Sequence, residues 1–165
     1  MPLVASMTLN LPEGPGHAPF TPVMNDSAHL ASSLCRTTVS RAMRHLTSAQ
    51  GMARWTLGLW NCREVESDLF TGESLFDGAT GWVRIVRLPG IDAVDYHVGP
   101  APDRLLPRIH ARVIDGPLLG HAAGSCLVTL IGWQPDGMSP ERWRRLVVSH
   151  EAEIELIRAQ LEREG

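Results

Sequence analysis

Among the side chains able to do chemistry, His150 stands out by its spacing. It falls within a run of Trp143, Val147, Ile154, Ile157 and Leu161, recurring at steps of 4, 3, 4, 3 and 4. At about 100° per residue, all six share one stripe of a helix. An imidazole buried there without a partner is expensive. Either His150 points into a cavity and meets a ligand or moves a proton, or it is a core histidine satisfied by a neighbouring carbonyl. Strand alternation sorts a second group. Val94, Tyr96 and Val98 face one way and Asp95 and His97 the other; Ile109, Ala111 and Val113 oppose His110 and Arg112. With the apolar sets inward, Asp95, His97, His110 and Arg112 make a solvated cross-strand cluster on the outer face. With the register reversed, they become an interior acid/base group. On the inward set, Tyr96 either offers its phenol to a ligand or serves as a core aromatic, and Ile85 and Ile109 supply apolar wall. Trp60 opens a segment on which Asn61, Arg63 and Val65 share a face. Arg63 either holds an acidic ligand group or snorkels to water, and the second is expected.

Several familiar templates fail. His150-Glu151 begins like the zinc-protease pattern H-E-x-x-H, but position 154 is Ile, so the second ligand is missing. Gly72-Glu73-Ser74-Leu75-Phe76 lacks the final Gly of a nucleophile elbow. Gly14-Pro15-Gly16 follows no strand and leads into Pro19, so it is no dinucleotide loop. Cys35, Cys62 and Cys126 are far apart with no C-x-x-C, and buried, reduced thiols are expected. No metal and no cofactor is expected. All fifteen basic residues are Arg, which removes Schiff-base chemistry through Lys.

The elements that position these residues follow from local signals. Ser139 suits an N-cap, Pro140 the first helical position and Glu141 the first turn. A long amphipathic helix is therefore expected from Ser139 towards Gly165. Glu141 with Arg145 and Arg158 with Glu162 are spaced to pair. Upstream, His29 to Arg36 reads as a strand carrying Leu30 and Leu34 on one side. Thr38 caps a short helix from Val39 to Leu46, and Ser48 starts another through Trp55, weakened by Gly51. Six strands then follow: Trp60–Glu66, Glu73–Phe76, Gly81–Leu88, Ala93–Val98, Arg108–Asp115 and Ser125–Gln134. Thr71-Gly72, Asp77-Gly78, Pro89-Gly90 and Gly99-Pro100 separate them as turns, so neighbours should pair antiparallel. Residues 1–27, with five prolines, read as a mobile tail, and 28–165 as a single domain. The expected class is α+β: seven antiparallel strands wrapped around the C-terminal helix, with two short helices after the first strand.

This order, with Gly51-Met52-Ala53-Arg54-Trp55, Leu69-Phe70-Thr71-Gly72 and the stretch from Ser139-Pro140-Glu141-Arg142-Trp143 to Glu151, resembles the START-related superfamily called SRPBCC, which includes polyketide cyclase-like proteins. The likeness spans roughly residues 28–165 and is architectural. It implies a helix-grip fold with a deep apolar cavity between sheet and helix. Members bind lipids, hormones or polyketides, and a minority are enzymes.

Composition agrees with a folded domain: 44% apolar and 20% charged residues over 165 positions. The net charge of -3 does not favour a nucleic-acid partner. No apolar run is long enough to span a bilayer, and no signal-peptide pattern opens the chain, so a cytoplasmic location is expected. Five tryptophans suit the rim and wall of a pocket, although core packing accounts for most of them. The expected function is binding of a small hydrophobic or amphipathic molecule. His150, Trp143, Val147, Ile154, Tyr96, Ile85, Ile109, Trp60 and Arg63 are the candidate contacts. One alternative is a cyclase, dehydratase or hydrolase using His150 as general acid/base with Tyr96. Another is a co-chaperone-like interaction module presenting Val148 and Leu156; a homodimer is also compatible.

Overall fold

A computed structural model describes residues 27–163. The tail expected over residues 1–27 lies outside the described residues except for Ser27. The chain runs β1 (Ala28–Cys35), α1 (Val39–Thr47), α2 (Ala49–Trp55), β2 (Trp60–Glu66), β3 (Leu69–Glu73), β4 (Thr80–Arg87), β5 (Ala93–Gly99), β6 (Leu106–Asp115), a 3-10 turn (Gly116–Leu119), β7 (Cys126–Trp133) and α3 (Pro140–Arg163). The seven strands form one antiparallel sheet in the order β1-β7-β6-β5-β4-β3-β2. This is the α+β helix-grip arrangement, with α3 packed across one face.

Each helix starts where its cap dictates. Ser139 Oγ accepts from the Arg142 amide at 3.2 Å, Thr38 Oγ1 from Arg41 at 3.4 Å and Ser48 Oγ from Gly51 at 3.1 Å. Gly51 does more than loosen α2. A Cβ there would stand 1.9 Å from the His45 carbonyl oxygen, so only glycine lets α2 fold back against α1. On α3, Glu141 lies 3.5 Å from Arg145 as the spacing predicts. The other expected pair does not form: Arg158 bonds Glu155 at 3.1 Å, and Glu162 turns to Arg36, just beyond the end of β1.

One strand assignment needs correction. The third strand is Leu69–Glu73 rather than Glu73–Phe76, and Thr71-Gly72 lies inside it. Leu69, Phe70, Thr71 and Gly72 are all buried, and Thr71 Oγ1 donates to the Gly81 carbonyl of β4 at 3.0 Å. The β2–β3 reversal falls earlier, at Ser67-Asp68, where Asp68 takes the left-handed region at φ 59°. On β1, Ala31 and Cys35 face inward, and Leu30 and Leu34 lie exposed on the outer face. α3 packs on β1 and β7, and the small Ala31 suits that approach.

The core lies between the sheet and the three helices. Leu46 and Met52 from α1 and α2, Trp55, Phe70, Val94, Val113, Val128, Leu130, Ile154, Ile157 and Leu161 form one buried cluster. α3 covers β1 and β7 while α1 and α2 reach β6, β7 and β2. Space is left between the N-terminal half of α3 and the ends of β4, β5 and β6.

Candidate ligand cleft

One inward row crosses the sheet: His29 on β1, Gly132 on β7, Ile109 on β6, Tyr96 on β5 and Ile85 on β4 are successive register partners. His150 on α3 lies over the Gly132 position of that row. A Cβ on Gly132 would meet His150 Cε1 at 2.5 Å and Nδ1 at 3.1 Å, so the missing side chain is what admits the ring. The His29 ring flanks it, 6.1 Å away between centroids. His150 is only 1% exposed, and neither ring nitrogen has a hydrogen-bond partner among the described residues. Burial, with a smaller contribution from His29, lowers its pKa from 6.5 to about 4. The ring is therefore neutral at pH 7, with one donor and one acceptor unspent.

His150 and Ile109 line a cleft of about 470 Å³ at this end of the grip. Its floor is Val98 and Gly99 of β5, Gly81 of β4, and Arg108 and Ile109 of β6. Its roof is the N-terminal part of α3, from Arg142 through Leu146 and Ser149 to Glu153, and the loop over residues 74–79 with Thr80 of β4 closes one side. A volume of this size falls within the usual ~300–1,000 Å³ of small-molecule sites. The hollow is less oily than the apolar stripe implies, because arginines, two carboxyls and an imidazole share its walls. A second depression, of about 520 Å³, lies over α1 and α2 among Arg41, Arg44, Gln50 and Arg54, away from the β4–β6 ends.

Glu153 is the residue that sequence reasoning missed. Its neighbours in the sequence mark it as one of the solvated charges of α3, yet it is 5% exposed and lines the cleft one turn beyond His150. Its Oε1 accepts from the Leu57 amide at 2.8 Å. Burial raises its pKa from 4.5 to about 7, partly offset by hydrogen bonds from the Leu57 and Gly58 amides. The signal lies in the spacing: residues 150, 153 and 157 step by 3 and 4, which sets Glu153 at the border of the buried stripe.

The remaining candidates scatter. Tyr96 is buried, but its hydroxyl donates to the Leu46 carbonyl at 2.9 Å and its ring meets the edge of Trp55. It does not line the cleft, so His150 and Tyr96 are not brought together at one opening. Burial pushes its phenol well above the ordinary value. Ile85, Trp143 and Ile154 are buried outside the cleft lining, and Val147 is half-buried. Trp60 and Arg63 stand exposed on edge strand β2. A register shift between them, with Asn61 at φ 53°, turns Cys62 inward in their place. Asp95, His97, His110 and Arg112 lie on the outer face, half-buried, with His110 Nδ1 2.8 Å from Asp95. The apolar strand sets therefore face inward, and this group is not an interior acid/base site. All three cysteines are buried free thiols. No group of metal-ligating side chains is found among the described residues.

No family model and no curated protein matches the sequence. Solved structures do match. A START superfamily protein from Mycobacterium smegmatis superimposes with a TM-score of 0.62 at 6% identity, over 84% of this chain and 99% of that one. An Aha1 dimer from Colwellia psychrerythraea gives 0.60 at 11% identity, over 82% and 96%. The di-domain aromatase/cyclase BexL of the BE-7585A biosynthetic pathway gives 0.58 at 13% identity, over 80% of this chain and 45% of that one. The chain thus shares the helix-grip fold of these structures. At these identities the likeness is one of fold alone, on which many functions are built. No helix among the described residues is long and apolar enough to cross a membrane.

Proposed function

We propose that the cleft between α3 and the ends of β4–β6 binds a small hydrophobic or amphipathic molecule. The observation that carries this reading is His150. A buried neutral imidazole with both nitrogens unpartnered, beside a cleft of about 470 Å³, supports a polar anchor for such a molecule. Val98, Ile109 and Leu146 supply apolar wall beside it. The START protein and the cyclase among the structural neighbours fit this use of the fold. Thermal-shift screening against lipid-like and aromatic compounds, with native mass spectrometry for stoichiometry, tests it. One molecule should bind per chain, and Leu146→Trp, which fills the cleft, should abolish binding. Binding that survives Leu146→Trp unchanged would place the guest elsewhere.

Catalysis is a second reading, favoured by Glu153. A carboxyl titrating at about 7 one helical turn from a neutral histidine is suited to general acid/base work. A cyclisation, dehydration or hydrolysis would then use His150 with Glu153 in place of Tyr96. Incubation of a bound compound with the protein and with Glu153→Gln, followed by mass detection of product, tests this. Turnover should occur in the first and fall sharply in the second.

A further inference from the structure

The cleft is cationic in a way that its apolar lining does not require. Arg108 of β6 and Arg142 and Arg145 of α3 all line it. Arg108 belongs there because of a shift in the ladder. Tyr96 pairs with Ile109 but His97 pairs with Pro107, so Arg108 is the extra residue of a bulge. Its Nε is fully buried and has no hydrogen-bond partner among the described residues. Burial and, to a lesser degree, the charge of Arg142 lower its pKa. The acids around the cleft are otherwise engaged. Asp77 is exposed and takes hydrogen bonds from Ser74 and Ala79, with Arg145 and Arg142 as smaller influences on it; Glu141 holds Arg145 at 3.5 Å, and Glu153 accepts from Leu57 deeper in. Arg145 also lies over the Phe76 ring at 5.6 Å.

Arg108 and Arg142 line the same cleft and each disfavours the other's charge, and a bound anion offsets that repulsion. Resting on the reading of the cleft as a ligand site, we propose that its guest is an amphipathic oxyanion. The carboxylate or phosphate head sits on Arg108 and Arg142, and the apolar body runs over Val98, Ile109 and Leu146. The planar fork of arginine matches either head group in a two-point contact.

Isothermal titration calorimetry with three probes of equal chain length, decanoate, decyl phosphate and decanol, separates the claims. At least one anion should bind about tenfold or more tighter than decanol, as charge-assisted contacts do. The tighter of the two anions identifies the head group. Arg108→Gln should close the gap to decanol. Arg144→Gln, an exposed change of the same charge on α3 outside the cleft, should leave the gap intact. If Arg108→Gln does not fold, Arg142→Gln on the exposed first turn of α3 gives the same readout. Decanol binding as tightly as both anions would overturn the oxyanion proposal and leave the cleft reading standing. So would Arg144→Gln narrowing the gap as much as Arg108→Gln. No binding of any of the three would overturn both.

Discussion

Replacing Glu153 by Gln separates two buried titrations that nearly cancel in the parent protein. The folded Glu153 has its pKa raised from 4.5 to about 7. Between those values the native chain keeps a proton that the unfolded chain has released. Its contribution is therefore complete below pH 4.5 and is lost as pH rises through 7. The loss is roughly 3 kcal/mol, because each pH unit between the two values is worth about 1.4 kcal/mol. His150 behaves in the opposite sense. Its pKa falls from 6.5 to about 4, so the unfolded chain takes up a proton that the native chain refuses, and stability climbs with pH across that window. That climb is also worth roughly 3 kcal/mol. The windows overlap between pH 4.5 and 6.5. Gln keeps the oxygen that accepts from Leu57 and cannot ionise. At pH 4.5 the variant should match the parent; at pH 8 it should be more stable by roughly 3 kcal/mol. Urea unfolding from pH 4.5 to 8, followed by tryptophan fluorescence, measures the difference. An offset that does not change with pH would mean that Glu153 titrates at its ordinary value, and the reasoning would fail.

Other expectations follow from single contacts. His150→Gln should leave the falling limb of Glu153 exposed, so that stability drops from pH 4.5 to 7 in the same assay. Gly132→Ala drives a methyl into His150 and should cost about 1–3 kcal/mol in urea unfolding, as overpacking does. Combined with His150→Ala, that cost should shrink or reverse; an additive double variant would separate the two residues. Tyr96→Phe strips a partner from the Leu46 carbonyl in the last turn of α1 and should cost about 1–2 kcal/mol in stability. Ligand affinity should be unchanged, since Tyr96 is absent from the cleft wall; a weakened complex would contradict that placement.

The parts of this fold written in local chemistry were legible. Ser139, Thr38 and Ser48 announce the helices, because a cap needs only its own hydroxyl and the next turn. The antiparallel order follows from paired turn residues such as Asp77-Gly78 and Pro89-Gly90. Features that depend on pairing between distant strands were not legible. Thr71-Gly72 has turn composition but lies in a strand because β2 and β4 bury it from both sides. Arg108 reaches the cleft only through the bulge opposite Tyr96 and His97, which no local pattern signals. Leu30 and Leu34 outrank Ala31 and Cys35 in hydrophobicity, yet the smaller pair faces in beneath α3. For the cleft, periodicity finds His150 and Ile109. It passes over Glu153 because a charged side chain on a helix border is ordinarily solvated, and two backbone amides reverse that here.

The central claim is that a guest occupies the space between α3 and the ends of β4–β6. Nuclear Overhauser contacts between protonated decanoate and methyl-labelled, otherwise deuterated protein test it most directly. The account predicts contacts from the alkyl chain to the methyls of Val98, Ile109 and Leu146. Contacts confined to Leu30, Leu34 and Ile131 on the outer face of the sheet would contradict it.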